Sequence, residues 1–237
     1  MIPGHPNCKA YWPMSDTADL SGNAKTLTNV GSATFTKVTG LMGISANLPD
    51  SAANKYFTAG AANNEFMSPE ITIFVRFKML EITRADNTKP FFCISRVPFS
   101  LPHYFIVMYV NKGVSAPNPI TLMCQNSDGT YSAIIRPASF STNEIGSVAG
   151  TYRAGNIADG VRLFKNGVVV GTAASKAGLY TGSGSDCAGL ALGNIRNFVD
   201  VSAMPSIEMD DVIVYNYAMA DSDVLRLHYG LHPLGRS

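Results

Sequence analysis

The sequence predicts an all-β protein, a sandwich of antiparallel sheets, and three observations carry that prediction. Gly and Pro, 21 and 13 residues respectively, recur at short intervals and separate apolar runs of strand length. Period-two alternation is clearest over 71–79, where apolar side chains hold every odd position while Thr72, Arg76 and Lys78 share the other face. Asn166-Gly167 joins 161–165 to 168–170, and that dipeptide accepts the positive φ angles of a hairpin turn matched to strand twist.

Along the chain, 71–79 reads as a half-buried strand. A second hairpin pairs 120–124 with 131–136 around Asn126-Ser127-Asp128-Gly129, a loop of turn-forming residues. The apolar run 104–110 is expected beside it. Residues 209–217 are apolar and β-branched enough for a central buried strand. One short helix follows, led by Ala220-Asp221-Ser222-Asp223, where an Asp or Ser caps the first turn and Gly230 ends the last. No linker and no repeat of 20 to 50 residues interrupts the pattern, so one domain over 1–237 is expected.

Composition narrows the function. Hydrophobic residues make up 46% and charged residues 15%, the latter well below the roughly 25% of an average soluble domain, which excludes disorder. Eighteen basic residues against seventeen acidic ones give a net charge of +1, so no field draws in nucleic acid or an anionic membrane surface. The run 104–110 is far short of the roughly 20 apolar residues of a membrane-spanning helix, and no membrane insertion is expected. Cys8, Cys93, Cys124 and Cys187 are far apart with no Cys-x-x-Cys pair. That spacing offers neither a zinc site nor a thioredoxin-type motif. Unpaired, buried thiols are expected, with one or two bridges left open. The opening residues lack the features of a secretory signal, and no Asn-x-Ser/Thr acceptor occurs, which points toward a prokaryote or its viruses.

Five segments, taken in order, resemble the laminin G-like branch of the concanavalin A-like lectin and glucanase superfamily. Tyr11-Trp12-Pro13-Met14 with Asp19-Leu20-Ser21-Gly22-Asn23 looks like its opening strand and turn, and 71–78 like its first long core strand. Val148-Ala149-Gly150-Thr151-Tyr152 followed by Gly160 to Gly167 is similar to its paired strands closed by Asn-Gly. Leu190-Ala191-Leu192-Gly193 fits the next strand, and 209–219 with the helix behind it fits the closing elements. The match runs from about 11 to 229. It implies a jelly roll of two antiparallel sheets of six or seven strands, one of them curved into a shallow concave face. Members bind sugars, bind proteins or hydrolyse glycans, and similar domains occur in bacteriophage virion proteins, so the residues must decide.

The superfamily's glucanases carry three acids at i, i+2 and i+4, which strand alternation puts on one face. Here the run reads Glu208, Asp210, Val212, with Asp211 expected on the opposite face. The third position holds no acid, and a non-catalytic protein is expected. No Gly-x-Ser-x-Gly elbow, His-Glu-x-x-His, phosphate loop or dinucleotide fingerprint is present, and His5, His103, His228 and His232 are scattered.

Calcium is the strongest remaining chemistry. The turn from Asp19 to Asn23 offers hard oxygens, and Asp16 lies close in sequence. The resemblance implies that an acid of the closing strand, here Asp210, packs against that turn. The alternative is that Asp19, Ser21 and Asn23 bond their own turn backbone. For sugar, aromatic platforms are sought near loops and strand ends. Tyr131, Tyr152 and Tyr180 are the candidates, weighed against simple packing, while Trp12 and Phe91-Phe92 read as core.

Two functions are expected. The first is a non-catalytic structural or adhesion protein of a phage virion, a capsid decoration or tail component that meets other virion proteins or host-surface carbohydrate, as a homo-oligomer with exposed apolar loops such as 97–102. The second is a carbohydrate-binding module of a secreted bacterial protein. A glycoside hydrolase ranks below both.

Overall fold

The computed structural model describes residues 5–37, 43–48, 55–59, 66, 68–80, 89–96, 104–110, 118–179, 187–193 and 207–231. In chain order the strands are β1 (Cys8–Trp12), β2 (Thr28–Val30), β3 (Thr34–Lys37), β4 (Ile44–Leu48), β5 (Tyr56–Ala59), β6 (Glu70–Met79), β7 (Lys89–Arg96) and β8 (Tyr104–Val110). They continue with β9 (Pro119–Gln125), β10 (Tyr131–Ser139), β11 (Ile145–Arg153), β12 (Val161–Lys165), β13 (Val168–Ala173), β14 (Cys187–Leu192) and β15 (Ile207–Tyr215), and end in helix α1 (Asp221–His228). The loop 97–102 and residues His103 and His232 lie outside the described residues.

Among the described residues, eight strands form one antiparallel sheet, one more than the six or seven expected, ordered β13-β12-β11-β6-β15-β4-β3 with β1 also on β15, and seven form the other, ordered β10-β9-β8-β7-β14-β5-β2. This is the expected two-sheet antiparallel jelly-roll sandwich with one short C-terminal helix. Both expected hairpins are present, as β12–β13 and β9–β10, and β8 lies beside β9.

Alternation along β6 divides its side chains between two cores. Ile71, Ile73, Val75, Phe77 and Met79 join Ile94, Ile106, Met108, Leu122 and Leu190 of the second sheet in the intersheet core. Trp12, Phe91 and Phe92 are fully buried there, as expected. Phe74 faces outward and joins a smaller core with Ala149, Phe164, Ile213, Val224 and Leu227. Helix α1 lies over that face of the larger sheet, burying Val224 and Leu227, which are three residues apart and so share one side of a helix.

The helix N-terminus differs from expectation, while Gly230 ends the helix as expected, in a left-handed conformation (φ 73°) with its N–H on the Leu227 carbonyl at 2.9 Å. Ala220 occupies the N-cap and no side chain caps the first turn, although Asp221 and Asp223 carry negative charge at the positive end of the helix dipole. At the other end, Arg76 of β6 donates from Nη2 to the carbonyls of Leu227 (2.9 Å) and His228 (3.1 Å). A strand cation thus adds to the hydrogen bonding of the last carbonyls of the helix, of which Leu227 O also accepts from Gly230 N–H.

The strand β15 is central, as expected, but not regular. It pairs with β6 along one side, and on the other with β4 at Ile207–Met209 and then with β1 from Val212 to Tyr215. Its register against β6 slips between Met209 and Val212. That bulge, an extra residue on one strand, reverses the alternation: Met209 and Val212 both enter the intersheet core. Glu208, Asp210 and Val212 therefore do not form a one-faced row. Glu208 lies beside Lys78, Nζ to Oε2 3.6 Å, and Asp211 accepts a hydrogen bond from Tyr11 Oη at 3.0 Å with Arg76 Nε 3.5 Å away.

Cys8, Cys93 and Cys124 form no disulfide among the described residues and are buried. Burial pushes the Cys8 thiol up to about 12, so it is protonated and unreactive near neutrality.

Candidate binding site

A recess opens beside the N-terminus of α1. Strand β11 ends at Arg153, the chain turns through 154–160, and β12 carries Arg162 back along its edge. The turn is held by the hydrogen bonds Arg153 N–H to Gly160 O (2.7 Å), Gly160 N–H to Ile157 O (3.1 Å) and Ser175 N–H to Ile157 O (2.9 Å). Gly160 is required by contact: a Cβ there would lie 2.1 Å from Ser175 Oγ and 2.8 Å from the Arg153 carbonyl.

The opposite wall is the crossing from β15 to α1. Thr72 of β6 clasps it, donating to Tyr217 O (2.7 Å) and accepting from Met219 N–H (2.9 Å). Glu70 adds a second hold, accepting from Ala218 N–H at 3.2 Å. These bonds fix where Asp221 stands. The resulting pocket of about 330 Å³ is lined by Thr151, Arg153, Asp159, Arg162, Met219 and Asp221, among others, and falls within the roughly 300–1,000 Å³ of small-ligand sites.

A network of charges organises its polar wall. Arg162 donates from Nη2 to Asp159 Oδ2 and from Nη1 to Asp221 Oδ1, each at 2.5 Å, and from Nε to the Asp159 carbonyl at 3.4 Å. Arg153 Nε lies 3.3 Å from Glu70 Oε1. Hydrogen bonding to Arg162, with its positive charge, holds the Asp159 carboxyl below the usual carboxylate range. Every charge has a partner, yet the network is half exposed, with the side chains of Arg153, Asp159 and Asp221 each near 50% accessible. The wall therefore presents donors and acceptors in fixed positions, as recognition of a hydroxyl-rich ligand needs.

Among the described residues, none of the site residues singled out from sequence lines this pocket. Tyr152 is a correction: it is fully buried, with its hydroxyl 2.8 Å from Gly178 O and 3.1 Å from Asn126 Oδ1. Burial pushes its phenol up to about 12, and its ring cannot serve as a platform. Its neighbours on the strand, Thr151 and Arg153, face the pocket instead. Tyr131 is partly buried at the start of β10, opposite Gln125 in the seven-stranded sheet. Tyr180 lies outside the described residues.

The Asp19 turn closes on itself. Asp19 Oδ1 accepts from the backbone N–H of Tyr11 (3.0 Å) and Ser21 (2.9 Å), and Oδ2 accepts from Ser21 Oγ (2.9 Å) and Lys25 N–H (2.9 Å). Asn23 Nδ2 donates to the Cys8 carbonyl at 2.8 Å, and Asp16 accepts from Ala18 N–H at 2.7 Å. The carboxylate that calcium would use is already filled by donors, so this turn fits a hydrogen-bonded clip better than an ion site. Asp210 is buried at the β15 bulge, and its neighbour Asp211 accepts a hydrogen bond from Tyr11 of the opening strand. Among the described residues, no three His, Cys, Asp or Glu side chains gather as a metal site.

The two described histidines are structural. His5 stacks on Tyr217 and meets Tyr215 edge-on, and His228 Nδ1 lies 3.0 Å from Ser147 Oγ.

The architecture is that of a lectin-like β-sandwich, and solved structures share it. Domain 4 of AbnA, a GH43 extracellular arabinanase from Geobacillus stearothermophilus, solved in complex with arabinotriose, matches with a TM-score of 0.63 at 18% identity, over 94% of this chain and 98% of that one. The binding domain of Paraclostridial Mosquitocidal Protein 1 matches with a TM-score of 0.63 at 16% identity, over 96% and 53%. The botulinum neurotoxin serotype G binding domain matches at 0.62 and 13%, over 94% and 51%. The chain thus spans nearly the whole arabinanase domain and about half of each toxin binding domain. At these identities the likeness establishes the fold. No family model and no curated protein matches the sequence.

Proposed function

We propose that this chain is a non-catalytic carbohydrate-binding module whose sugar site is the pocket walled by Arg153, Asp159, Arg162 and Asp221. The observation that carries the proposal is the pocket itself, a recess of about 330 Å³ with paired charges held in fixed geometry by two strands and the start of a helix. The shared fold with an arabinanase domain solved with arabinotriose supports the ligand class.

The proposed setting is the surface of a bacteriophage particle, where the protein assembles with other virion proteins as a homo-oligomer and meets host glycans. Low charge and the absence of an N-glycosylation acceptor support this setting. A second reading, a binding module of a secreted bacterial enzyme, draws support from the near-complete coverage of the arabinanase domain.

A glycan array probed with the purified protein and with Arg162→Ala tests the site. Binding that weakens in the variant supports it; no binding, or binding equal in both, overturns it. Co-sedimentation with phage particles separates the two settings.

A further inference from the structure

We infer that the pocket selects neutral sugars and rejects acidic ones, and that Asp159 and Asp221 are the residues that set this preference; the inference rests on the carbohydrate-binding reading above. Two cations, Arg153 and Arg162, stand in this network against three carboxylates, Glu70, Asp159 and Asp221. Arg162, the cation most deeply engaged, is held at 2.5 Å by a carboxylate on each side. A guanidinium binds an anionic ligand through a bidentate, charge-assisted pair. Here that geometry is already taken by the protein's own acids, one from the turn before β12 and one from the first turn of α1.

A uronate, sialate or sulfate group entering the pocket would have to displace Asp159 or Asp221 from Arg162, or compete with Glu70 for Arg153 while facing those two carboxylates. Like charges brought together in this way cost enough to reject a ligand. A neutral sugar meets no such obstacle. Three of the Arg162 donor positions are used within the protein, leaving its other N–H groups for hydroxyl oxygens. Asp159 and Asp221 each engage Arg162 through one carboxylate oxygen, which leaves the second to accept from sugar hydroxyls. The arrangement is a specificity filter made by repulsion as well as attraction.

The test uses the full chain on an array of neutral oligosaccharides printed beside their uronic-acid and sialylated counterparts. Three proteins are compared: wild type, Arg162→Ala, and the double variant Asp159→Asn with Asp221→Asn. The wild type is expected to favour the neutral form by about tenfold or more. Arg162→Ala is expected to weaken neutral binding by about tenfold, and the double variant, with Arg162 released, to gain binding to the acidic forms. Circular dichroism of each variant confirms that the fold is kept. Wild-type binding to acidic glycans that disappears in Arg162→Ala would overturn the inference while leaving a sugar site in this pocket. Binding to neither class, or binding indifferent to all three pocket residues, would overturn both.

Discussion

Arg162 Nη1 lies 2.5 Å from Asp221 Oδ1, so strand β12 of the larger sheet and the first turn of helix α1 meet in one ion pair. The two residues are 59 positions apart, and only the docking of α1 on the outer face of the sheet brings them together. The pocket and helix packing are therefore coupled here: whatever seats the helix also completes the pocket.

The pair itself is partly solvated, and such pairs add little to stability. Arg162→Ala is expected to leave the thermal midpoint nearly unchanged while weakening glycan binding by about tenfold. Calorimetric titration alongside a thermal melt separates the two effects. A variant that melts much earlier and binds normally would make Arg162 a structural residue.

Helix seating depends on Leu227, fully buried in the smaller core with Val224 against Phe74, Phe164 and Ile213. Leu227→Ala is expected to cost about 2–5 kcal/mol and to weaken glycan binding as well, because it loosens the element that carries Asp221. Urea denaturation reads the first effect and titration the second.

The hairpin turn is a third test. Asn166 and Gly167 both take positive φ, 52° and 79°, and a Cβ on Gly167 would meet Leu225 Cδ1 at 2.7 Å and its Cα at 2.8 Å. Gly167→Ala combines backbone strain with overpacking and is expected to cost about 2–4 kcal/mol. Gly129, also left-handed at 80° but with nothing within 4 Å of its Cβ direction, is the control: Gly129→Ala carries only the backbone cost of about 1–2 kcal/mol. Equal losses would mean that the contact with the helix is unimportant.

Acid should loosen the same helix. Burial, followed by the positive charge of Arg76, lowers His228 below its ordinary value of 6.5. The folded state therefore binds this proton less readily than the unfolded chain, and stability rises with pH. The contribution of neutral His228 is complete above the ordinary value and is lost as pH falls through the lower folded value. Urea midpoints measured across that range are expected to decline on acidification, and His228→Gln to flatten the decline. An unaltered slope in the variant would place the acid sensitivity elsewhere.

The Asp19 clip gives the last prediction. Four donors converge on one carboxylate, so Asp19→Ala is expected to cost about 2 kcal/mol or more. The wild-type thermal midpoint is expected to be the same in calcium and in chelator. A midpoint that rises with calcium would assign an ion to this turn after all.

Much of the fold was legible because it rests on period-two patterns and turn chemistry. The odd positions of β6 and the Asn166-Gly167 turn each announce themselves in a few adjacent residues, and so does the Asp19 turn, although its residues suit a calcium ligand set as well as the hydrogen-bonded clip that forms. The bulge in β15 does not: 209–215 offers an almost unbroken apolar run outside Asp210 and Asp211, so nothing in it reveals where the alternation reverses. Tyr152 was misleading for a related reason. It follows Thr151 on a strand buried along nearly its whole length, and sequence does not say which of the two faces the pocket. The pocket itself was hidden because Asp159 and Arg162 are neighbours in sequence while Asp221 arrives only with the helix, where its charge reads as a helix-start signal.

The most direct test of the central claim is amide chemical-shift mapping of the labelled protein titrated with the neutral oligosaccharide that binds best on the array. A sugar site in this pocket predicts that the perturbed amides cluster at Thr151, Arg153, Gly160, Arg162, Ala220 and Asp221. Perturbations confined to the outer face of the seven-stranded sheet, around Tyr109, Met123 and Tyr131, would contradict it.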